Sequence, residues 1–182
     1  MSRLVQVGDR HFTLSIPAAD IQAAVARMGA AISNAFRDKN PMFLVVLNGA
    51  FMFAADLMKQ ISIPAELSFI RLVSYEGMSS TGKVTVAGGL QDDIRGRHVI
   101  LLEDIIDTGT TLHYFRPELL QLQPASLHLA ACFTKPEALV YPDVQANFSC
   151  FELPQKFVVG YGMDYNGYGR NLPALYELVA EH

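Results

Sequence analysis

Between residues 18 and 37, Ile21, Val25, Met28, Ile32 and Phe36 recur at helical spacing, with Pro17 where a first turn tolerates it. That spacing predicts a long amphipathic helix. The apolar run MFLVVLNGA then ends in Asn48-Gly49, and FMFAADLMKQ behind it reads as a second helix. AELSFIRLVSY (65–75) is β-branched and aromatic enough for a strand. It runs into the Gly/Ser/Thr stretch EGMSSTGK, and VTVAG follows as another strand. HVILLEDII reads as a buried strand, TTLHYFRPELLQLQ as a helix and SLHLAACFT as a further buried strand, with FSCFEL and KFVVGYG closing the strand set. The C-terminal LPALYELVAEH is too short to assign. Continuous apolar strands alternating with amphipathic helices predict an α/β fold, a parallel sheet covered on both faces, with an antiparallel excursion around residues 65–88.

The 182 residues suit one domain with no internal repeat, low-complexity tract or linker. Hydrophobic residues make up 51% and charged ones 18%, which is a globular composition. A formal charge of −4 argues against a broad nucleic-acid or anionic-membrane surface but leaves room for a local basic pocket. No signal core opens the chain, and no stretch approaches the ~20 apolar residues of a membrane span. Cys132 and Cys150 lie in separate apolar segments without CxxC spacing, as buried thiols of a reducing compartment would. A cytoplasmic protein is expected.

The chemistry concentrates in VILLEDIIDTGTTL. Ligands of parallel α/β sheets bind beyond the carboxyl ends of the strands. A strand ending at residue 103 would project Glu103 and Asp104 into that crevice, with Asp107 just behind. Thr108, Gly109, Thr110 and Thr111 turn the chain into a helix, where backbone N–H groups, hydroxyls and the helix N-terminus converge on an anion. Acids beside a phosphate cradle are compatible if a divalent cation, sugar hydroxyls or a proton stand between them. The ligand implied is a sugar phosphate carrying a metal-bound polyanion. The same loop could instead be a surface turn with Asp107 as helix cap.

This segment resembles the phosphoribosyl-diphosphate signature of the type I phosphoribosyltransferases: hydrophobic strand, two acids, two aliphatics, Asp, Thr-Gly-Thr-Thr. LNGAFMFAADL, SFIRLVSYEGMSSTGKV, KPEAL and FELPQKFVVGYGMDYNGYGRNLP resemble the hypoxanthine-guanine branch, in its order, over residues 40–173. The resemblance implies a single domain over 1–182, a parallel central sheet flanked by helices. A small hood would form from the N- and C-terminal segments, with a mobile loop near 74–84. The activity implied is purine salvage: transfer of phosphoribosyl from 5-phosphoribosyl 1-diphosphate to hypoxanthine or guanine, giving the nucleoside monophosphate and diphosphate.

By the same resemblance, Glu103 and Asp104 hold the ribose hydroxyls, directly or through metal-bound water. Asp107 handles the proton at purine N7 as the catalytic residue, and Asp107–Thr111 cradle the 5′-phosphate. Asn48-Gly49 contacts diphosphate, in the family often through a non-proline cis peptide; many members carry Lys where this chain has Asn48. Ser74 and Tyr75 belong to the closing loop. Lys135 donates to the 6-oxo group, Phe157 stacks on the base, and the Val158 backbone bonds its edge. Asp164 holds a second Mg²⁺ and Arg170 clamps diphosphate. The metal set is thus Glu103, Asp104 and Asp164, the cofactor Mg²⁺, and the assembly a homodimer or homotetramer. No nucleic acid or membrane partner is expected. Tyr161, Tyr165, Tyr168 and Tyr176 stay unassigned, with packing as their expected fate. Two other functions compete: a donor-sensing regulator that binds RNA or DNA, and a transferase for xanthine, adenine or a pyrimidine.

Overall fold

The computed structural model describes residues 4–74, 84–88, 90 and 92–179. A hairpin, β1 (Leu4–Val7) and β2 (Arg10–Ile16), precedes α1 (Ala18–Ala35) and β3 (Met42–Leu47). Next come α2 (Phe51–Met58), β4 (Glu66–Ser74), β5 (Val84–Gly88), β6 (His98–Ile106) and α3 (Thr110–Gln121). The chain ends with β7 (Ser126–Thr134), β8 (Phe148–Glu152), β9 (Val158–Val159) and β10 (Leu175–Leu178). The large sheet has the order β5-β4-β3-β6-β7-β8, and all its pairs are parallel except β4–β5. The antiparallel excursion is therefore β5 alone, since β4 runs parallel to β3.

Strand periodicity explains the two layers. Ile100 and Leu102 of β6 pack with α1 and α2, while Val99 and Leu101 pack with α3. On α1 the buried stripe is Ile21, Val25, Met28 and Ile32, as the spacing predicted. β3 is buried along almost its whole length, which a strand covered by helices on both faces requires.

A second, four-stranded sheet of order β1-β2-β10-β9 joins the two ends of the chain into a hood with its own core of Val7, Phe12, Val159, Ala174 and Tyr176. Three of its features depart from the sequence reading. The β1–β2 hairpin was not foreseen, although Gly8, at φ 60°, opens its two-residue turn. KFVVGYG does not extend the parallel sheet: β9 pairs antiparallel with β10 in the hood. The unassigned C-terminal segment supplies β10.

β6 spans the whole of HVILLEDII, to Ile106, so Glu103 and Asp104 lie within the strand and not at its end, where the site reading put them. The whole Gly/Ser/Thr stretch after β4, with Tyr75 before it, lies outside the described residues. No helix among the described residues is long and apolar enough to cross a membrane.

Candidate active site

The chain leaves β3 to build β4 on one side and returns to place β6 on the other, so β3/β6 is the topological switch point of the sheet. Crevices open outside the carboxyl ends of such strand pairs. Here a cleft of about 270 Å³ is lined by Gly49 from β3 and by Glu103, Asp104 and Asp107–Thr111 from β6 and the following turn. Beside it lies a second hollow of about 200 Å³, lined by Asp104, Asp107, Lys135, Phe157, Val158 and Asp164. Asp104, Ile105 and Asp107 belong to both and form the partition between them.

β3 leads into Asn48 on a cis peptide bond, Leu47–Asn48, and the residues on either side, Leu47 and Gly49, line the first cleft. Gly49 is required by close approach, since a Cβ there would collide with the Asp104 carboxylate. Gly162 repeats the device: at φ 102°, it sits against the Gly49 carbonyl where a side chain has no room. The hood loop after β9 therefore closes on the β3 loop backbone to backbone.

On β6, Asp104 Oδ1 accepts the Ile105 N–H at 2.8 Å. Burial pushes both carboxyls upward: Glu103 well above its usual range, with Asp104 adding repulsion, and Asp104 itself more modestly. Two acids that resist ionising together are suited to a site whose ligand brings positive charge or hydroxyl donors. Past the strand, Gly109 at φ 76° redirects the chain into α3, and the Thr108 and Thr110 hydroxyls lie 2.9 Å apart at the helix N-terminus. The amides of that first turn point at the cleft, which gives the anion cradle its physical basis.

Lys135 and Asp107 meet because of strand register. Ile106 pairs with Thr134, and one position further the two side chains close an ion pair, Lys135 Nζ to Asp107 Oδ2 at 2.6 Å. Lys135 is only 8% exposed. Its N–H bonds the Ile106 carbonyl, which fixes the loop on β6. Phe157 presents a ring that is 47% exposed against this pair. It is braced from behind by Phe12 and Tyr165 of the hood. Val158 is buried in β9, opposite Glu177.

Arg170 pairs with Asp164 at 2.5 Å and donates to the Gly162 carbonyl at 2.8 Å. The other Asp164 oxygen accepts the Gly167 N–H at 2.7 Å. The Arg170 charge bears on Asp104, so the proposed diphosphate and metal groups share one electrostatic neighbourhood. Among the described residues no three His, Cys, Asp or Glu side chains group closely enough to cage an ion. The donor set is nonetheless all oxygen, with Asp104 and Asp164 facing one hollow. That fits a hard divalent cation held mainly by water and substrate oxygens, not one caged by the protein.

The structure thus brings Gly49, Glu103, Asp104, Asp107, Thr108, Gly109, Thr110, Thr111, Lys135, Phe157, Val158 and Asp164 to the two cavities, with Arg170 paired to Asp164 and Asn48 next along the chain from Gly49. Ser74 is the last residue of β4, and Tyr75 lies outside the described residues. One lining residue escaped the sequence, while Tyr161 met the packing fate expected of it. Met163 lines the second hollow. Tyr161 is buried, takes a left-handed φ of 49°, and donates its hydroxyl to Asp56 on α2 at 2.9 Å. The flanking glycines, Gly160 and Gly162, were the available signal for a constrained turn there.

A phosphoribosyl transferase domain model matches residues 17–166. The chain belongs to that family. It is 38% identical over 163 residues to a hypoxanthine-guanine phosphoribosyltransferase of Streptococcus pneumoniae, covering 89% of this chain and 90% of the relative. It is 39% identical over 175 residues to a hypoxanthine phosphoribosyltransferase of Haemophilus influenzae, covering 94% and 97%. Among solved structures, a hypoxanthine-guanine phosphoribosyltransferase of Bacillus anthracis superposes with a TM-score of 0.87 at 32% identity, covering 96% of this chain and 100% of that one.

Proposed function

We propose that this chain transfers the phosphoribosyl group of 5-phosphoribosyl 1-diphosphate to N9 of hypoxanthine or guanine, releasing diphosphate and the nucleoside monophosphate. The observation that supports it most is the Lys135–Asp107 pair, a donor and an acceptor side by side against an exposed aromatic face. A 6-oxopurine presents the complementary edge, with the O6 acceptor beside the N7–H donor. Lys135 donates to O6 and Asp107 accepts from N7–H, while Phe157 stacks on the ring and the Val158 backbone bonds the far edge. Adenine puts an amino donor where O6 belongs and leaves Lys135 facing it unpaired, which disfavours it.

The donor occupies the larger cleft. Thr108–Thr111 hold the 5′-phosphate, Glu103 and Asp104 the ribose hydroxyls, and Asn48, Gly49 and Arg170 the diphosphate. As the C1′–O bond to diphosphate breaks and the C1′–N9 bond forms, Asp107 takes the proton from N7 and its charge faces the developing oxocarbenium. Mg²⁺, when bound with the donor near Asp104 and Asp164, neutralises the departing diphosphate. Ser74 and Tyr75 begin the segment that closes over the site and excludes water.

The protein works as a cytoplasmic homodimer or homotetramer. Leu67 and Phe69, exposed on β4, support a self-association face. The test is an assay of purified protein with donor, Mg²⁺ and a panel of bases, with products identified. Turnover of hypoxanthine or guanine and little with adenine is expected. No turnover with any base, together with tight RNA binding, would replace the enzyme with a donor-sensing regulator.

A further inference from the structure

Cys132 and Cys150, expected to be separate buried thiols, occupy facing positions on neighbouring strands. Ala131 pairs with Ser149 and Phe133 with Phe151, which sets the two free thiols side by side between those pairs. Neighbouring strands run about 4.8 Å apart, within the roughly 4.4–6.8 Å Cα separation that a disulfide spans. Among the described residues β8 is the edge of the large sheet and its one ladder is with β7, so it can shift toward β7 without breaking a second ladder.

The two thiols differ in access. Cys132 is fully buried, whereas Cys150 is partly exposed at the wall of a cavity of about 410 Å³ between α1 and β8. Arg27, Met28 and Ser149 line the same cavity. A hydrogen bond joins the two thiols, and the Arg27 charge bears on Cys150. Cys150 is thus the more accessible of the two, and Cys132 lies beside it on the inner strand.

We propose that Cys150 is a modification site for small hydroperoxides, with Cys132 as its resolving thiol. The Cys150 sulfur attacks one peroxide oxygen and the O–O bond breaks. The other oxygen leaves as water or alcohol with the thiol proton, and Cys150 becomes a sulfenic acid. The Cys132 sulfur then attacks the Cys150 sulfur, an S–S bond forms, and the sulfenic oxygen departs as water with the Cys132 proton. The two sulfurs together lose two electrons and the peroxide gains them. Neither cysteine lines the cleft or the base hollow, so the site stands whether or not the transferase reading holds.

The chain has only 2 cysteines, so no other thiol confounds the test. Reduced full-length protein is treated with hydrogen peroxide, alkylated, and analysed by intact mass and non-reducing peptide mapping. Wild type is expected to lose both thiols together and two hydrogens of mass, to yield a linked Cys132–Cys150 peptide, and to recover with dithiothreitol. Cys132→Ser is expected to stop at a dimedone-trapped sulfenic acid on Cys150, and Cys150→Ser to leave Cys132 intact. Should either variant fail to fold, the linked wild-type peptide decides alone. Both thiols surviving peroxide, oxidation without the linked peptide, or Cys132 lost as fast in Cys150→Ser as in wild type would each overturn the proposal.

Discussion

Replacing Asp107 by Asn keeps the shape of the side chain and an oxygen that can accept from Lys135, but removes the ability to take a proton. Asp104 also lines both the donor cleft and the base hollow, but it is the Asp107 carboxylate that sits 2.6 Å from Lys135. A positioned general base contributes roughly 10²- to 10⁴-fold, so kcat should fall by that range. At about 1.4 kcal/mol per decade this is about 3–5 kcal/mol of transition-state stabilisation. Donor affinity should change little, because the Thr108–Thr111 turn and the Arg170–Asp164 pair are untouched. Stability should drop by about 1–2 kcal/mol: Lys135 is left with a neutral partner, but the half-exposed carboxylate it replaces was already screened by water. Steady-state product formation, donor calorimetry with Mg²⁺ and urea unfolding measure the three effects separately. Turnover close to wild type with the fold intact would remove Asp107 from the chemistry.

Lys135→Met should lower kcat/KM for hypoxanthine by roughly 10- to 150-fold, the loss of a hydrogen bond from a charged donor, and narrow the preference over adenine; an unchanged adenine ratio would refute its reading of O6. Tyr161→Phe should lower unfolding free energy by about 1 kcal/mol in denaturant titration, the net worth of its bond to Asp56. Burial pushes the Asp56 carboxyl up, but hydrogen bonds from Lys59, Gln22 and Tyr161 outweigh it and hold it below 3.8. Its ionised form therefore adds stability above that value, and the addition disappears as pH falls through the lower folded value. The stability gap between wild type and Asp56→Asn at pH 7, read by thermal unfolding, should close in acid. Gly162→Ala forces a Cβ onto the Gly49 carbonyl at a φ that L-residues avoid, a conformational penalty of roughly 1–2 kcal/mol before the clash. Weakened donor binding in calorimetry is the expected result.

What the sequence could reveal followed from how local its signals were. α1, β3, β6 and β7 carry long apolar patterns whose period is unambiguous, and they emerged as read. The β1–β2 hairpin consists of a short strand and one whose burial is uneven, so no sustained alternation marked it. β9 misled for a different reason: two buried valines look alike in a parallel sheet or a hood, and only pairing with β10 separates the cases. The acids of EDIID could be recognised from their company; the apolar pattern of HVILLEDII matched the bounds of β6, and only the site reading, which took charged residues as a strand end, stopped it at Glu103. The Lys135–Asp107 pair was not legible as a contact. It depends on a β6–β7 register fixed by α3 and its connections, a property of the assembled sheet.

The closure of Gly162 on Gly49 has a consequence for transplanting parts among relatives. The hood loop and the β3 loop meet main chain to main chain, so the junction has no side-chain surface that could be redesigned to accept a foreign partner. A hood taken from another protein could differ freely across its outer face and its small core, yet would fit this sheet only if it brought a bare backbone to that one point. Modularity in this molecule ends at one missing methyl group, that of Gly162.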